Sequence, residues 1–213
     1  MIPQISIAEC PDCARAFPMR LSDFEYYMFV DDRPSHPMVF VMVVHVDGCL
    51  QRQAIESSLR DALQAHPLFS CHILKIPKLG WCWSHSGQVP LPVNWQCVDT
   101  PVQLNDPVPI RAIDLQVQTG IYIEICHHPE SSRIVFYLHH ACCDGIGGLQ
   151  FVSEVLARYG RKTAGSEEKQ PQFEPPRLEL LKLRDNFDSG KSAGERQQRS
   201  LKRLIGKIGR LFG

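Results

Sequence analysis

The sequence lacks an apolar run of the roughly 18–20 residues that a membrane-spanning helix requires. Its longest apolar run, residues 38–44, has the length of a strand. The first residues contain neither a basic stretch nor a long apolar stretch, so we expect no signal peptide. A net charge is also lacking, because 23 Lys and Arg balance 23 Asp and Glu. The chain therefore has no overall positive field, and we expect no nucleic-acid partner.

Cysteine is too sparse for a disulfide scaffold, with nine residues in a chain of 213. The number is odd, and Cys142 and Cys143 are adjacent. These features predict free, mostly buried thiols and a reducing, cytoplasmic location. Cys10 and Cys13 form a single Cys-x-x-Cys pair without the second pair of ligands that a zinc site needs. We interpret this pair as a surface coincidence and expect no metal site.

The zero net charge conceals an uneven distribution. Residues 191–213 hold seven basic residues and one acidic residue, a net charge of +6, so residues 1–190 carry −6. Within residues 196–212, apolar side chains recur at helical spacing, and Lys and Arg fill most of the opposite face. Such a basic amphipathic helix is typical of a peripheral membrane contact or of docking on a protein surface, and both interpretations stay open.

The pattern divides the chain into four segments. Residues 1–18 are irregular, residues 19–160 form the folded unit, residues 161–190 are a polar linker, and residues 191–213 are the basic helix. The length and the 44% apolar content are sufficient for a sizeable core.

Regular elements are predicted throughout the folded unit. Ser22 and Glu25 have the spacing of a capping box that opens a short helix. A helix over 52–65 ends at His66-Pro67, and a helix after Gly148 ends at Gly160. Strands are predicted over residues 38–46, 71–76, 81–84, 121–126 and 133–138. A proline-rich connector separates the strand that ends at residue 84 from the strand that begins at residue 121 (Pro90, Pro92, Pro101, Pro107 and Pro109).

One stretch carries groups suited to chemistry. The last predicted strand delivers His139 and His140, and Asp144 and Gly145 follow before the helix. A neutral imidazole at a strand end can take a proton from a hydroxyl or an amine. The plainer interpretation is that the pair closes a core strand and that Asp-Gly forms a turn. A second pair, His127-His128, has no Asp at the same offset, and we interpret it as part of a turn.

The phrase His-His-x-x-x-Asp-Gly resembles the signature of the acyltransferases with the chloramphenicol acetyltransferase-like fold. That superfamily includes nonribosomal-peptide condensation domains and wax ester synthase/diacylglycerol acyltransferases. The flanking phrases at residues 21–25, 31–34, 47–50 and 66–69 follow the same order. The resemblance implies an α/β fold of two layers (α+β), a mixed sheet flanked by helices. It also implies that residues 19–160 are the N-terminal half-domain of such a protein.

The resemblance also implies roles for the residues of the motif. His140 would be the general base that deprotonates an alcohol or amine acceptor, which then attacks the thioester of an acyl-CoA or an acyl carrier. Asp144 would hold the loop through an ion pair, Gly145 would permit a tight turn, and His139 would support the loop by packing or hydrogen bonding. The thioester is a substrate, and no cofactor or metal is implied.

Two departures from the family pattern bear on this function. The position at which the family often has an arginine that pairs with the motif aspartate holds Ser70, and Arg20, Arg33 and Arg111 are the alternatives. The chain also ends where a second half would begin, so we expect a homo-oligomer or a partner chain to complete the site. The alternative is a non-catalytic binding or assembly module.

Overall fold

The computed structural model describes residues 4–6, 16–85, 88–164 and Leu181. The described helices are α1 (Asp23–Val30), α2 (Arg52–Ala65), α3 (Gly145–Ala164) and a short 3-10 helix (Pro67–Ser70). The strands are β1 (Gln4–Ser6), β2 (Met19–Arg20), β3 (Val39–Asp47), β4 (His72–Ile76), β5 (Gly80–Ser84), β6 (Gln88–Pro90), β7 (Val93–Cys97), β8 (Ile121–His127) and β9 (Ser131–His139). Cys10, Cys13, the predicted linker from residue 165 onward apart from Leu181, and the basic segment 196–212 lie outside the described residues.

The principal sheet is a mixed one with the strand order β3-β9-β8-β7. β9 is antiparallel to both β3 and β8, whereas β7 runs parallel to β8. Because this pairing is antiparallel, β3 and β8 start at the end of the sheet where β9 finishes. We call this end of the sheet the motif end. The opposite end of the sheet, where β8 turns into β9, is the turn end. The predicted α/β class is confirmed.

Two smaller sheets accompany it, with the orders β2-β5-β4 and β1-β6. Four strands were not predicted from the sequence. β1 lies in the segment predicted to be irregular, β2 comes directly after that segment, and β6 and β7 lie in the predicted proline-rich connector. Pro90 and Pro92 are compatible with these strands because a proline at a strand terminus or a sheet edge costs no ladder hydrogen bond.

α2 and α3 pack together on one face of the principal sheet. The ring of Phe151 on α3 lies 6.2 Å from that of Phe136 on β9, and both side chains are fully buried. Near the C-terminus of α3, Lys162 Nζ lies 2.8 Å from Asp61 Oδ2 of α2. Among the described residues, no helix is long and apolar enough to cross a membrane.

The end predicted for α3 was wrong, because the helix continues through Gly160 to Ala164. Thr163 lies beyond that glycine, and its hydroxyl donates to the carbonyl of Tyr159. The Lys162–Asp61 ion pair joins this last turn to α2, and this tertiary contact helps to offset the roughly 1 kcal/mol cost of a glycine within a helix.

α1 begins as predicted. The Ser22 hydroxyl accepts from the Glu25 amide, and the Glu25 carboxylate accepts from the Ser22 amide, so both halves of the capping box are present. The helix is held to the body by Phe29, whose ring lies 4.9 Å from that of Trp81. Trp83, two residues further along β5, is fully buried in the core.

Candidate functional site

The backbone of the motif is fixed from both neighbouring strands. The amide of His139 donates to the carbonyl of Gly120, at 3.0 Å, just before β8. The amide of His140 donates to the carbonyl of Met38, at 2.8 Å, just before β3. Successive amides of a strand point in opposite directions, and here each finds an acceptor on its own side. The end of β9 is therefore rigidly placed where the loop to α3 begins.

His139 has a structural position. Its side chain is fully buried, and Nδ1 accepts from the amide of Ala141 at 3.1 Å. Nε2 faces the Asp32 carboxylate at 3.6 Å, a distance too long for a hydrogen bond. Burial holds the pKa of His139 below its usual value, although Asp32 opposes this effect. The ring is thus neutral, with its proton on Nε2 because Nδ1 is an acceptor.

His140 is the more accessible of the two imidazoles. It is half-buried, and its ring centroid lies 4.5 Å from that of Phe40 on β3, tilted by 40°. Within the described residues, its ring nitrogens make no hydrogen bond. A half-buried imidazole against an aromatic ring, on a fixed backbone, is suited to exchanging a proton with a bound molecule.

Asp144 caps α3. Its Oδ1 accepts from the Gly147 amide at 2.7 Å, and its carbonyl accepts from the Gly148 amide. The carboxylate is exposed and takes part in no ion pair with another described residue. This corrects the expectation that Asp144 holds the loop through an arginine. An N-cap aspartate orients the first turn of the helix and complements its dipole.

The candidate arginines have other positions. Arg33 pairs with Asp31 at 3.3 Å, and Arg111 pairs with Glu124 at 3.3 Å. Arg20 is aligned with Cys82 across the β2–β5 pair. Ser70, at the family's arginine position, is buried.

The close-packed glycine of the motif region is Gly148 and not Gly145. A Cβ on Gly145 would meet no atom within 4 Å, and its φ lies outside the left-handed region. The expectation that the turn needs a glycine at position 145 is therefore wrong, because neither the backbone φ nor the surrounding space excludes a side chain there. A Cβ on Gly148 would lie 2.9 Å from atoms of both Leu138 and Phe40. Gly148 thus sets how closely α3 approaches the strands that carry the motif.

A cavity of about 310 Å³ adjoins the motif loop. It lies between the end of α2, the 3-10 helix and the start of α3, and it is lined in part by Cys142, Cys143, Asp144 and Leu181. Burial raises the pKa of Cys142 well above its usual value and that of Cys143 to about 12. Both thiols are therefore protonated near neutral pH, which argues against either as a nucleophile.

A second cavity, of about 420 Å³, is lined in part by residues 116–119, by Ile121 and Tyr122 at the start of β8, and by His72. His140 lines neither cavity. In the described part of the chain, no three His, Cys, Asp or Glu side chains are grouped so that they could hold a metal ion.

Sequence reasoning missed three residues that shape the site. Asp32 was noted only as part of the flanking phrase at residues 31–34, yet it faces His139. Gly120 leaves no room for a side chain, because a Cβ there would lie 1.9 Å from Cys142 Sγ. Gly148 is the third. All three act through contacts that are distant in sequence, so no local signal marks them, whereas the capping aspartate has a local one.

Comparisons with solved structures identify the architecture. The X-domain from teicoplanin biosynthesis, solved in complex with OxyB, matches with a TM-score of 0.63 and 16% identity, over 83% of this chain and 40% of that one. Polyketide synthase associated protein 5 from Mycobacterium tuberculosis matches with a TM-score of 0.51 and 19% identity, over 85% and 39%. A mutant starter condensation domain of rhizomide synthetase, in complex with C8-CoA and Leu-SNAC, matches with a TM-score of 0.56 and 14% identity, over 82% and 42%.

No family model and no curated protein matches the sequence. The chain spans about two fifths of the length of the structures just described. It therefore has the chloramphenicol acetyltransferase-like fold of condensation domains, over a part of their length.

Proposed function

We propose that the protein takes part in acyl transfer from a CoA or carrier thioester to an alcohol or an amine. The nitrogen of His140 accepts the proton of the acceptor as its oxygen or nitrogen attacks the thioester carbonyl. The carbon–sulfur bond then breaks, and the leaving thiolate takes that proton from His140. The products are an ester or amide and a free thiol, and no cofactor is consumed.

The observation that carries this proposal is the placement of His140. Its backbone is bonded to Met38, its ring is half-buried beside Phe40, and α3 starts five residues later. His139 supports the turn from within the protein by accepting the Ala141 amide. Asp144 and Gly148 fix the helix that comes next. The arrangement presents one imidazole and buries the other.

The complete site requires a second surface. His140 lines neither of the two cavities described above, so neither of them places a substrate against its ring. The structures with this fold are more than twice as long as the portion that this chain matches. We propose that a second copy or a partner chain supplies the opposite wall, which would exclude water and orient the thioester.

Replacement of His140 tests the function. Purified protein is mixed with octanoyl-CoA and a panel of alcohols and amines, and product is measured by mass spectrometry, because the chain's own thiols interfere with thiol reagents. His140→Ala is expected to reduce turnover by about 10²–10⁴-fold, the usual contribution of a general base. His128→Ala is the matched control, since it changes the second histidine of the other pair. Equal rates for His140→Ala and the parent protein would refute the role of His140.

Light scattering on the same sample tests the second surface. A dimer, a trimer or a stable complex with a co-purified chain is expected, with turnover confined to the assembled form. A monomer without turnover on any acceptor would instead favour the non-catalytic assembly module.

A further inference from the structure

α1 presents an apolar face to the solvent although it lies against the body of the protein. Phe24, Tyr27 and Val30, spaced by three residues, expose 47%, 55% and 49% of their surface, and the adjacent Tyr26 exposes 45%. Contiguous exposed aromatic side chains on a soluble protein mark interaction surfaces. We call these four residues the α1 patch.

The rim of the α1 patch is acidic. Asp23 opens the helix and is exposed, and Asp31 and Asp32 follow its last residue. The sequence of α1 contains no Lys or Arg. The nearby guanidinium of Arg33 pairs with Asp31 at 3.3 Å, which leaves Asp23 and Asp32 as the acidic excess of the rim. A partner that fits this surface must offer apolar side chains flanked by positive charge.

We propose that the occupant of the α1 patch is the chain's own segment 199–212. Its apolar residues recur at helical spacing (Leu201, Leu204, Ile205, Ile208, Leu211 and Phe212). Its Lys and Arg belong to a stretch of net charge +6, whereas residues 1–190 carry −6. The segment therefore complements the patch in both apolar character and charge.

The connection is long enough for docking within one molecule. α3 ends at Ala164, and residues 165–198 span about 110 Å when fully extended, several times the radius of a domain of this size. A linker that can span the distance to its binding site gives the linked segment an effective concentration that approaches the millimolar range. Docking in the same chain is therefore favoured over docking between molecules at micromolar protein.

Docking there would bring the segment close to the motif. α1 leads directly into Asp32, whose Oδ1 accepts from the Met38 amide at 2.6 Å and whose Oδ2 faces His139. The α1 patch is thus adjacent in the chain to the residues that fix His139 and His140.

Trypsin digestion of the full-length protein tests this proposal, because docking shields the Lys and Arg of the segment from cleavage. Phe24→Gln/Tyr27→Gln removes the apolar centre of the patch without adding a cleavage site. It is expected to accelerate cleavage within residues 199–210 about tenfold, as measured by intact mass, since proteolysis follows the undocked population. Leu204→Gln/Ile208→Gln in the segment is expected to have the same effect. The quadruple variant is expected to add nothing further, because both pairs remove one interaction.

The matched control is Leu104→Gln/Val117→Gln, which alters two side chains that are 76% and 77% exposed elsewhere on the surface. It is expected to leave the cleavage rate unchanged, and circular dichroism checks that each variant melts like the parent. Equal cleavage of the parent and the patch variant would overturn the proposal. Protection that rises with protein concentration would assign the surface to a second copy. Protection that needs vesicles of phosphatidylserine and phosphatidylcholine would assign the segment to a membrane.

Discussion

The two ends of the principal sheet carry the same dipeptide in different surroundings. At the motif end, His139 is fully buried and accepts the Ala141 amide, and His140 stands half-buried beside Phe40. At the turn end, His127 lies 3.3 Å from the hydroxyl of Ser132, and His128 accepts the Glu130 amide. Both histidines of the turn end therefore contact residues at the turn from β8 to β9.

The two pairs differ in the element to which each one leads. After His128, Pro129 and Glu130 return the chain to β9, so both rings are used to shape a tight connection. After His140, the chain continues to α3, and the buried His139 alone supports the turn. Only the motif end leaves an imidazole whose nitrogens are not committed to described residues. The surroundings of a histidine pair are thus set by the element that it leads into.

Substitution of the first histidine of each pair should give the largest difference between the two ends, measured as the loss in the free energy of unfolding. His139→Ala leaves the Ala141 amide unpaired and opens a void in the core, so we expect a loss of about 2–4 kcal/mol in the free energy of unfolding. His127→Ala, at a half-buried site, is expected to cost about 1 kcal/mol or less. Urea denaturation of both variants measures the contrast. Equal losses would show that the two pairs are structurally equivalent.

Glycine substitutions sharpen the comparison through the packing of each end. Gly148→Ala forces a Cβ to within 2.9 Å of Leu138 and Phe40, and we expect a net loss of about 1–3 kcal/mol together with reduced turnover. Gly48, at the turn end, has a φ of +88° and open space around it. Gly48→Ala is therefore expected to cost about 1–2 kcal/mol through backbone strain alone and to leave turnover unchanged. Thermal unfolding and the acyl-transfer assay, applied to both variants, test the distinction.

The sequence predicted those features that depend on neighbouring residues. The capping box of Ser22 and Glu25, α2, and the paired strands β8 and β9 follow from local spacing. The motif itself was located because its strand, loop and helix are consecutive. The cap role of Asp144 also has a local signal, an aspartate before a helix, but the family resemblance directed attention to an ion pair instead.

The features that were missed depend on contacts between distant segments. β7 is a strand because β8 lies beside it, and its flanking prolines conceal it in the sequence. The facing of Asp32 and His139 joins residues more than a hundred positions apart. The approach of α3 to β3 at Gly148 is equally nonlocal. Pattern reasoning therefore identified the motif but could not supply its surroundings.

The burial of His139 predicts a dependence of stability on pH. Its pKa in the folded protein lies below its usual value of about 6.5. Between these two pKa values the unfolded chain therefore binds a proton at His139 that the folded chain does not bind. Stability should therefore fall as the pH drops through about 6.5 and level off below the folded pKa, by at most about 1.4 kcal/mol per pH unit for this group. Burial lowers the pKa of His72 and His85 as well, and they act in the same direction.

His139→Asn isolates the contribution of this residue, because its amide oxygen can still accept the Ala141 amide. Urea denaturation at about pH 7.5 and about pH 5.5 is expected to show a smaller difference for the variant than for the parent. An unchanged difference would mean that His139 is not the group that the fold keeps neutral.

The smallest expected effect distinguishes the cap role of Asp144 from the ion-pair role. Asp144→Asn keeps an oxygen that accepts the Gly147 amide, and we expect it to change stability by only a few tenths of a kcal/mol. Asp144→Ala removes the cap and is expected to cost about 1 kcal/mol. An ion pair would instead be lost equally in both variants. Asp47, an exposed aspartate at the turn end, provides the control, because Asp47→Ala and Asp47→Asn should both be silent in the same urea titration. A cost for Asp144→Asn equal to that for Asp144→Ala would mean that the charge, and not the cap, holds the motif end together.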